Sequence, residues 1–276
     1  MLSGNAVEPI VGSRTNLVVL TSAHATGVMW DPQVPATSDR LKTAVGIGFV
    51  ALSTGEHLVA RASGEVILSA GSLQTPQLLE LSGVGSPSLL SSFGIETVID
   101  LPGVGANLQD HPTVISVYKL KPGFQSLDHM VGAALAAAVN DYSKGEGILT
   151  QALSLLAFAP SSSWLSAADR AKVTGLVAER HSFLPEAQRL AQVELYEADA
   201  SMVEFIPINV DLSESGRVRE EPDALYVSLA TCLQHSFARG NVHLASADPL
   251  TKPAIDPNCA LNIVQLKQSL ERSRST

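Results

Sequence analysis

Histidine is the side chain best suited to acid-base work near neutral pH, and two of the seven histidines directly follow an aspartate, at Asp110-His111 and Asp128-His129. Adjacent residues on a strand point to opposite faces, so neither pair can work as a carboxylate-oriented base without a bend or a helical start. His24, His57, His181 and His235 stand apart from such partners, and strand alternation alone accounts for His243 within "GNVHLAS". The two cysteines, Cys232 and Cys259, are far apart and outside any C-x-x-C or Cys/His grouping. They read as buried thiols rather than as a zinc site or disulfide framework. No G-x-S-x-G elbow, H-E-x-x-H pair or P-loop occurs, which takes support away from the common hydrolase and nucleotide triphosphatase chemistries.

The sharpest remaining feature is a backbone device. The apolar run "EVILSA" leads into Ala70-Gly71-Ser72 and then into "LQTPQLLELSGVG". A strand ending in small residues can turn tightly, and a helix opening there presents unpaired N–H groups and a positive dipole end, a place that suits a phosphate. The plain alternative is equally physical, because every strand-to-helix unit needs such a turn whether or not a ligand binds. A second candidate, Gly46-x-Gly48-x-x-Ala51, matches the dinucleotide fingerprint in letters only. The next residues, "LSTGEHLVA", hold a turn and another strand-like run instead of a helix, so Gly46 and Gly48 are expected to permit a bend or close packing inside a strand.

The elements that must position these residues are legible in outline. From Asn16 to Pro112, "NLVVLT", "HATGVMW", "AVGIGFVAL", "HLVARA" and "EVILSA" predict short strands, and the unalternating Val66-Ile67-Leu68 predicts a strand covered on both faces. Two short helices come next. The first is predicted with Thr75 as N-cap, Pro76 at its first position and Gly83 past its end; the second repeats this with Ser86, Pro87 and Gly94. Ala/Leu-rich helical periodicity fills residues 123–199. Extended runs resume with "MVEFIPINVDL", "ALYVSLATCL" and "GNVHLAS", predicting a second, antiparallel sheet, before "LNIVQLKQSL" predicts a closing amphipathic helix. The fold class is α+β, a mixed α/β arrangement.

The 276 residues are 45% hydrophobic, enough for a substantial core, and carry a net charge of -9 without a Lys/Arg cluster before the tail "LKQSLERSRST". That balance argues against nucleic acid and against an anionic membrane surface as partners. No apolar run approaches the roughly 18 residues of a membrane span, and the opening residues lack the pattern of a secretion signal. The compartment stays open.

"GSLQTPQLLELSGVG" resembles the second signature of the glucose-methanol-choline (GMC) oxidoreductases at Gly71, Ser72, Thr75, Pro76, Leu78, Leu79, Ser82, Gly83, Val84 and Gly85. "LPGVGANLQDHP" comes after it at the family's spacing, "RTNLVVLTSAHATGVMW" resembles its preceding hairpin, and "FARGNVHLASADPLTKPAIDPN" resembles the start of its C-terminal region. The likeness is weakest over 121–220, where "YSKGEGILT" is the main echo.

The resemblance implies an FAD-dependent enzyme that oxidises an alcohol to an aldehyde by hydride transfer to flavin, with a small-molecule alcohol as substrate. It implies a partial FAD-binding domain with short capped helices over residues 1–120 and a substrate-type domain of helices on an antiparallel sheet over 121–245. Residues 246–276 would begin the C-terminal region. At the position of Ala25 the family contacts the adenine end of FAD through backbone. Ala70, Gly71 and Ser72 correspond to the strand-end turn beside the FAD sheet, with a structural role as the alternative. No strand-G-x-G-x-x-G-helix unit and no catalytic histidine pair can be matched. On this reading the chain is an internal fragment with weak or absent FAD binding and no catalysis of its own. The alternative is a non-catalytic binding or scaffold protein derived from the family.

Overall fold

The computed structural model describes residues 14–35, 41–150, 155–163, 165–180, 185–213, 221 and 224–259. In chain order these form β1 (Ala23–Trp30), β2 (Ala44–Ala51), β3 (Glu56–Arg61), α1 (Gly71–Leu81), β4 (Val84–Gly85), α2 (Pro87–Ser92), β5 (Ile99–Asp100), β6 (Ala106–Leu108) and β7 (Thr113–Lys119). The chain continues through α3 (Gly132–Tyr142), β8 (Ala157–Pro160), α4 (Ala167–Arg180), α5 (Glu186–Glu197), β9 (Ser201–Ile208), β10 (Tyr226–Leu233), β11 (Gly240–His243) and β12 (Ala254–Asp256). It divides into two units, one holding the residues up to Leu108 with Arg239–Asn258, the other holding Gln109–Ala238.

In the first unit β1, β2 and β3 form an antiparallel meander in that order, β11 lies between β12 and β6, and β4 and β5 form a short parallel pair. Gly46 lies in β2 opposite Arg61, where a Cβ would stand 2.5 Å from the Ala60 carbonyl oxygen. The fingerprint-like glycines are therefore a close strand approach, as their context predicts, and residues 52–55 turn the chain into β3 instead of into a helix.

Helix α1 departs from its predicted start. It begins at Gly71, four residues before Thr75, and Pro76 lies inside it. Gly71 takes φ +83, a left-handed value open to glycine, and so turns the chain onto the helical path earlier than the proline signal suggests. Pro76 withholds the N–H that Ser72 would receive four residues on, a loss tolerable in the exposed opening turns where water can reach that carbonyl. The end is as predicted, with Gly83 at φ +79 just past the helix. The second helix also has its predicted limits: Ser86 is its N-cap, Pro87 its first residue, and Gly94, at φ +71, lies beyond its end.

Two predicted strands are not strands here. Residues 17–20 and 65–69 have no ladder partner among the described residues, and Val18 and Ile67 are 81% and 74% exposed. An apolar run supplies strand propensity but not the neighbour that a ladder requires.

The second unit is an antiparallel sheet in the order β7-β10-β9-β8 accompanied by α3, α4 and α5. Its core gathers Tyr196, Met202 and Val203 against Leu165, Val173, Phe205 and Leu233. Strand β8 arises inside the stretch predicted as helical, because "AFAP" pairs with β9. "GNVHLAS", expected in this sheet, instead supplies β11 to the first unit. The predicted closing helix lies outside the described residues.

Candidate functional site

Among the described residues strand β1 bonds to β2 on one side only, and its other edge meets α1. Ser82, at the C-terminal cap of α1, fastens that junction. Its hydroxyl donates to the Leu78 carbonyl at 2.5 Å and accepts the Val28 N–H at 2.8 Å, while the Trp30 indole N–H donates to the Ser82 carbonyl at 2.7 Å. The Leu52 N–H donates to the Ser22 carbonyl at 2.8 Å, so Ser22 faces β2. Antiparallel alternation then turns the N–H and C=O of Ala23 and Ala25 away from β2, toward the open edge. A one-residue irregularity between Ala25 and Gly27 shifts the phase by one, which is why Val28, an even-numbered residue, faces outward.

Against this edge lies a cavity of about 240 Å³. Ala23, His24 and Ala25 form one wall; Ala70 and the α1 face of Gln74, Gln77, Leu78 and Leu81 form another; Pro249 completes the lining. The helical members recur at spacings of three and four, as one face of a helix must. Two side chains tie the distant Pro249 segment to these walls. The His24 ring donates from Nε2 to the Pro249 carbonyl at 2.9 Å, and the Gln77 amide donates to the Thr251 carbonyl at 2.7 Å. Further along α1, the fully buried Glu80 places Oε1 2.6 Å from His243 Nδ1 and accepts the Leu244 N–H through Oε2 at 2.8 Å.

Of the four residues singled out in the sequence, Ala25 and Ala70 face this same cavity. Gly71 and Ser72 stand at the exposed start of α1, outside its described lining. Neither Asp-His pair forms a side-chain dyad. The Asp110 carboxylate accepts the His111 backbone N–H at 2.8 Å, a local turn. Asp128 is buried and accepts the Ser126 hydroxyl at 2.8 Å and the Tyr226 N–H at 2.7 Å, while His129 is exposed at φ +61. Nothing in the sequence marks His243, His24 or Gln77 for these contacts. The partners of all three lie more than 160 residues away, and local periodicity carries no signal for them. Among the described residues no cluster of His, Cys, Asp and Glu could hold a metal ion.

The cavity offers a slot of mixed polar and apolar lining, with one peptide edge carrying a donor and an acceptor side by side. At about 240 Å³ it falls below the roughly 300–1,000 Å³ of whole small-molecule sites, which suits one end of a large cofactor. A flat heterocycle with adjacent acceptor and donor atoms, such as adenine, matches both features.

The fold is that of FAD-dependent oxidoreductases. An FAD-dependent oxidoreductase from Chaetomium thermophilum superposes with a TM-score of 0.72 at 25% identity, over 96% of this chain and 45% of that one. A fungal aryl-alcohol oxidase does so with a TM-score of 0.64 at 26% identity, over 93% and 43%. Within that class the chain belongs to the GMC oxidoreductases, whose family description matches residues 4–113. The GMC oxidoreductase family protein Mala s 12 of Malassezia sympodialis is 32% identical over 282 aligned positions, 99% of this chain and 42% of that protein. The chain thus spans less than half the length of these relatives.

Proposed function

We propose that this chain supplies the adenine-side half of the cofactor site in an FAD-dependent oxidoreductase acting on small alcohols, including aryl alcohols. The observation that carries the reading is the convergence of the outward peptide edge of Ala25 and the turn residue Ala70 on one cavity between β1 and α1. Family membership and the solved relatives point to FAD, and an aryl-alcohol oxidase shares the fold. When bound, FAD supplies the hydride acceptor. The chain's own residues bind and orient it. The Ala25 N–H and C=O would hold the adenine end, Leu78 and Leu81 would exclude water from it, and Gly71 and Ser72 would flank the approach at the start of α1. Of the region from residue 121 to 245, the part up to Ala238 forms the substrate side, β11 belonging to the cofactor-side unit, and 246–276 begins the C-terminal region.

By itself the chain is expected to hold adenine ligands weakly and to oxidise no alcohol. Its histidines at 24 and 243 are committed to structural contacts, and residues 46–51 are strand rather than a pyrophosphate loop. Equilibrium dialysis of the 276-residue chain tests this. FAD, ADP and adenosine should bind in competition with one another, and FMN should not. Binding of FMN with exclusion of adenosine would place the flavin end here and reverse the reading.

A further inference from the structure

We infer that the segment Ser246–Thr251 is a wall that sets the size of what the cavity admits, held there by two positioning residues, His24 and Gln77. The inference rests on reading the cavity as an adenine site. Pro249 lines the cavity although 225 residues separate it from His24, and 174 residues separate Thr251 from Gln77. The carbonyls of these two wall residues are gripped from different sides, Pro249 by the ring of His24 on β1 and Thr251 by the amide of Gln77 on α1. Gln77 is only 5% exposed, so its amide must find a partner inside the protein, and that partner is the wall.

Between these grips the segment is stiffened by its own hydrogen bonds. The Asp248 N–H donates to the Ser246 hydroxyl at 3.0 Å, the Leu250 N–H to Asp248 Oδ1 at 3.0 Å, and the Thr251 hydroxyl to Asp248 Oδ2 at 3.2 Å. The Thr251 N–H completes the turn on the Asp248 carbonyl at 3.1 Å. Pro249 has no N–H, and its carbonyl is engaged by His24. It therefore presents to the cavity an apolar ring on a braced turn, a surface suited to limiting the bulk of a ligand rather than to hydrogen bonding it.

Dissociation constants of adenosine, N6-benzyladenosine and 2-phenylaminoadenosine for the full 276-residue chain test the wall, with the thermal melt followed in parallel. The unsubstituted chain should favour adenosine over at least one bulky analogue by about tenfold or more, the scale on which a pocket rejects added groups. In the double variant H24A/Q77A that ratio should fall below about threefold. P249G, which removes the wall and leaves both grips, should relax the ratio in the same way and decides the matter if the double variant does not fold. An unchanged ratio in P249G, or in the folded double variant, overturns the wall while leaving the adenine site intact. Failure of adenosine to bind the unsubstituted chain overturns the adenine reading and the wall with it.

Discussion

Glu80 in the first unit and Asp128 in the second are both buried carboxylates, and they solve the same problem differently. Glu80 reaches across 163 residues to a histidine ring and a neighbouring N–H on the returning segment 239–258, so its charge fixes one part of the chain to another far away. Asp128 collects the N–H groups of Tyr226 and Asp211 and the hydroxyl of Ser126 two residues before it, stitching the Ser126–Asp128 turn to the chain flanking β10 and β9. Isolated buried carboxylates are strongly unfavourable, and each of these persists because several donors converge on it. The cavity's order comes from the first kind of tie. α1, which forms one wall, is anchored from its far end by Glu80 to the same returning segment that supplies Pro249.

Breaking the two carboxylates ranks them. Glu80→Ala leaves the Leu244 N–H and the His243 ring without their acceptor and is expected to lower stability by about 3 kcal/mol, read as a shift in the denaturant midpoint. Asp128→Ala should remove about 2 kcal/mol, since water can reach parts of its loop more readily. A smaller loss at Glu80 than at Asp128 would mean that the long-range tie is not the stronger one. Gly46→Ala, whose Cβ would meet the Ala60 carbonyl, should cost about 1 to 2 kcal/mol and leave adenosine affinity unchanged. A selective loss of nucleotide binding there would revive the fingerprint reading of residues 46–51.

The smallest effect concerns Asp199, where a hydrogen bond from the Ser162 hydroxyl, with help from the Ser162 N–H and Arg170, holds the carboxyl below its ordinary range. A depressed folded pKa contributes stability above the ordinary carboxylate range, and that contribution is lost as pH falls through the folded value. Asp199→Asn keeps a residue tolerant of φ +54 and should therefore lower the neutral plateau slightly and flatten the acid limb of the stability profile, leaving stability at the lowest pH unchanged. A limb of unchanged slope would show that this exposed cluster carries no linkage.

How much of the molecule is legible in the sequence depends on the range of the forces involved. Local signals carry through: Ser86-Pro87, Gly83 and Gly94 mark helix ends by backbone preferences that act within a turn, and Gly46 in β2 is separable from a cofactor loop by its neighbours alone. The start of α1 escapes the proline signal at Pro76 because Gly71's left-handed turn outweighs it. "EVILSA" and "NLVVLT" have strand composition, yet the described residues give them no ladder. Ala25 and Ala70, which line one cavity, are singled out through family likeness alone, since an alanine's peptide group leaves no chemical mark in the sequence. The ties from Glu80, His24 and Gln77 join positions more than 160 residues apart, beyond any periodicity a single chain displays.

The β1 edge and α1 are proposed to enclose an adenine site. Adenine binding there is tested most directly by watching the backbone amide signals of the ¹⁵N-labelled chain during titration with adenosine. Saturable shifts are predicted to concentrate at Ala23, His24, Ala25, Ala70 and Gln74, with the Asp128 loop of the second unit unmoved. Saturable shifts elsewhere with Ala25 and Ala70 silent, or no shifts at all, would contradict the adenine site.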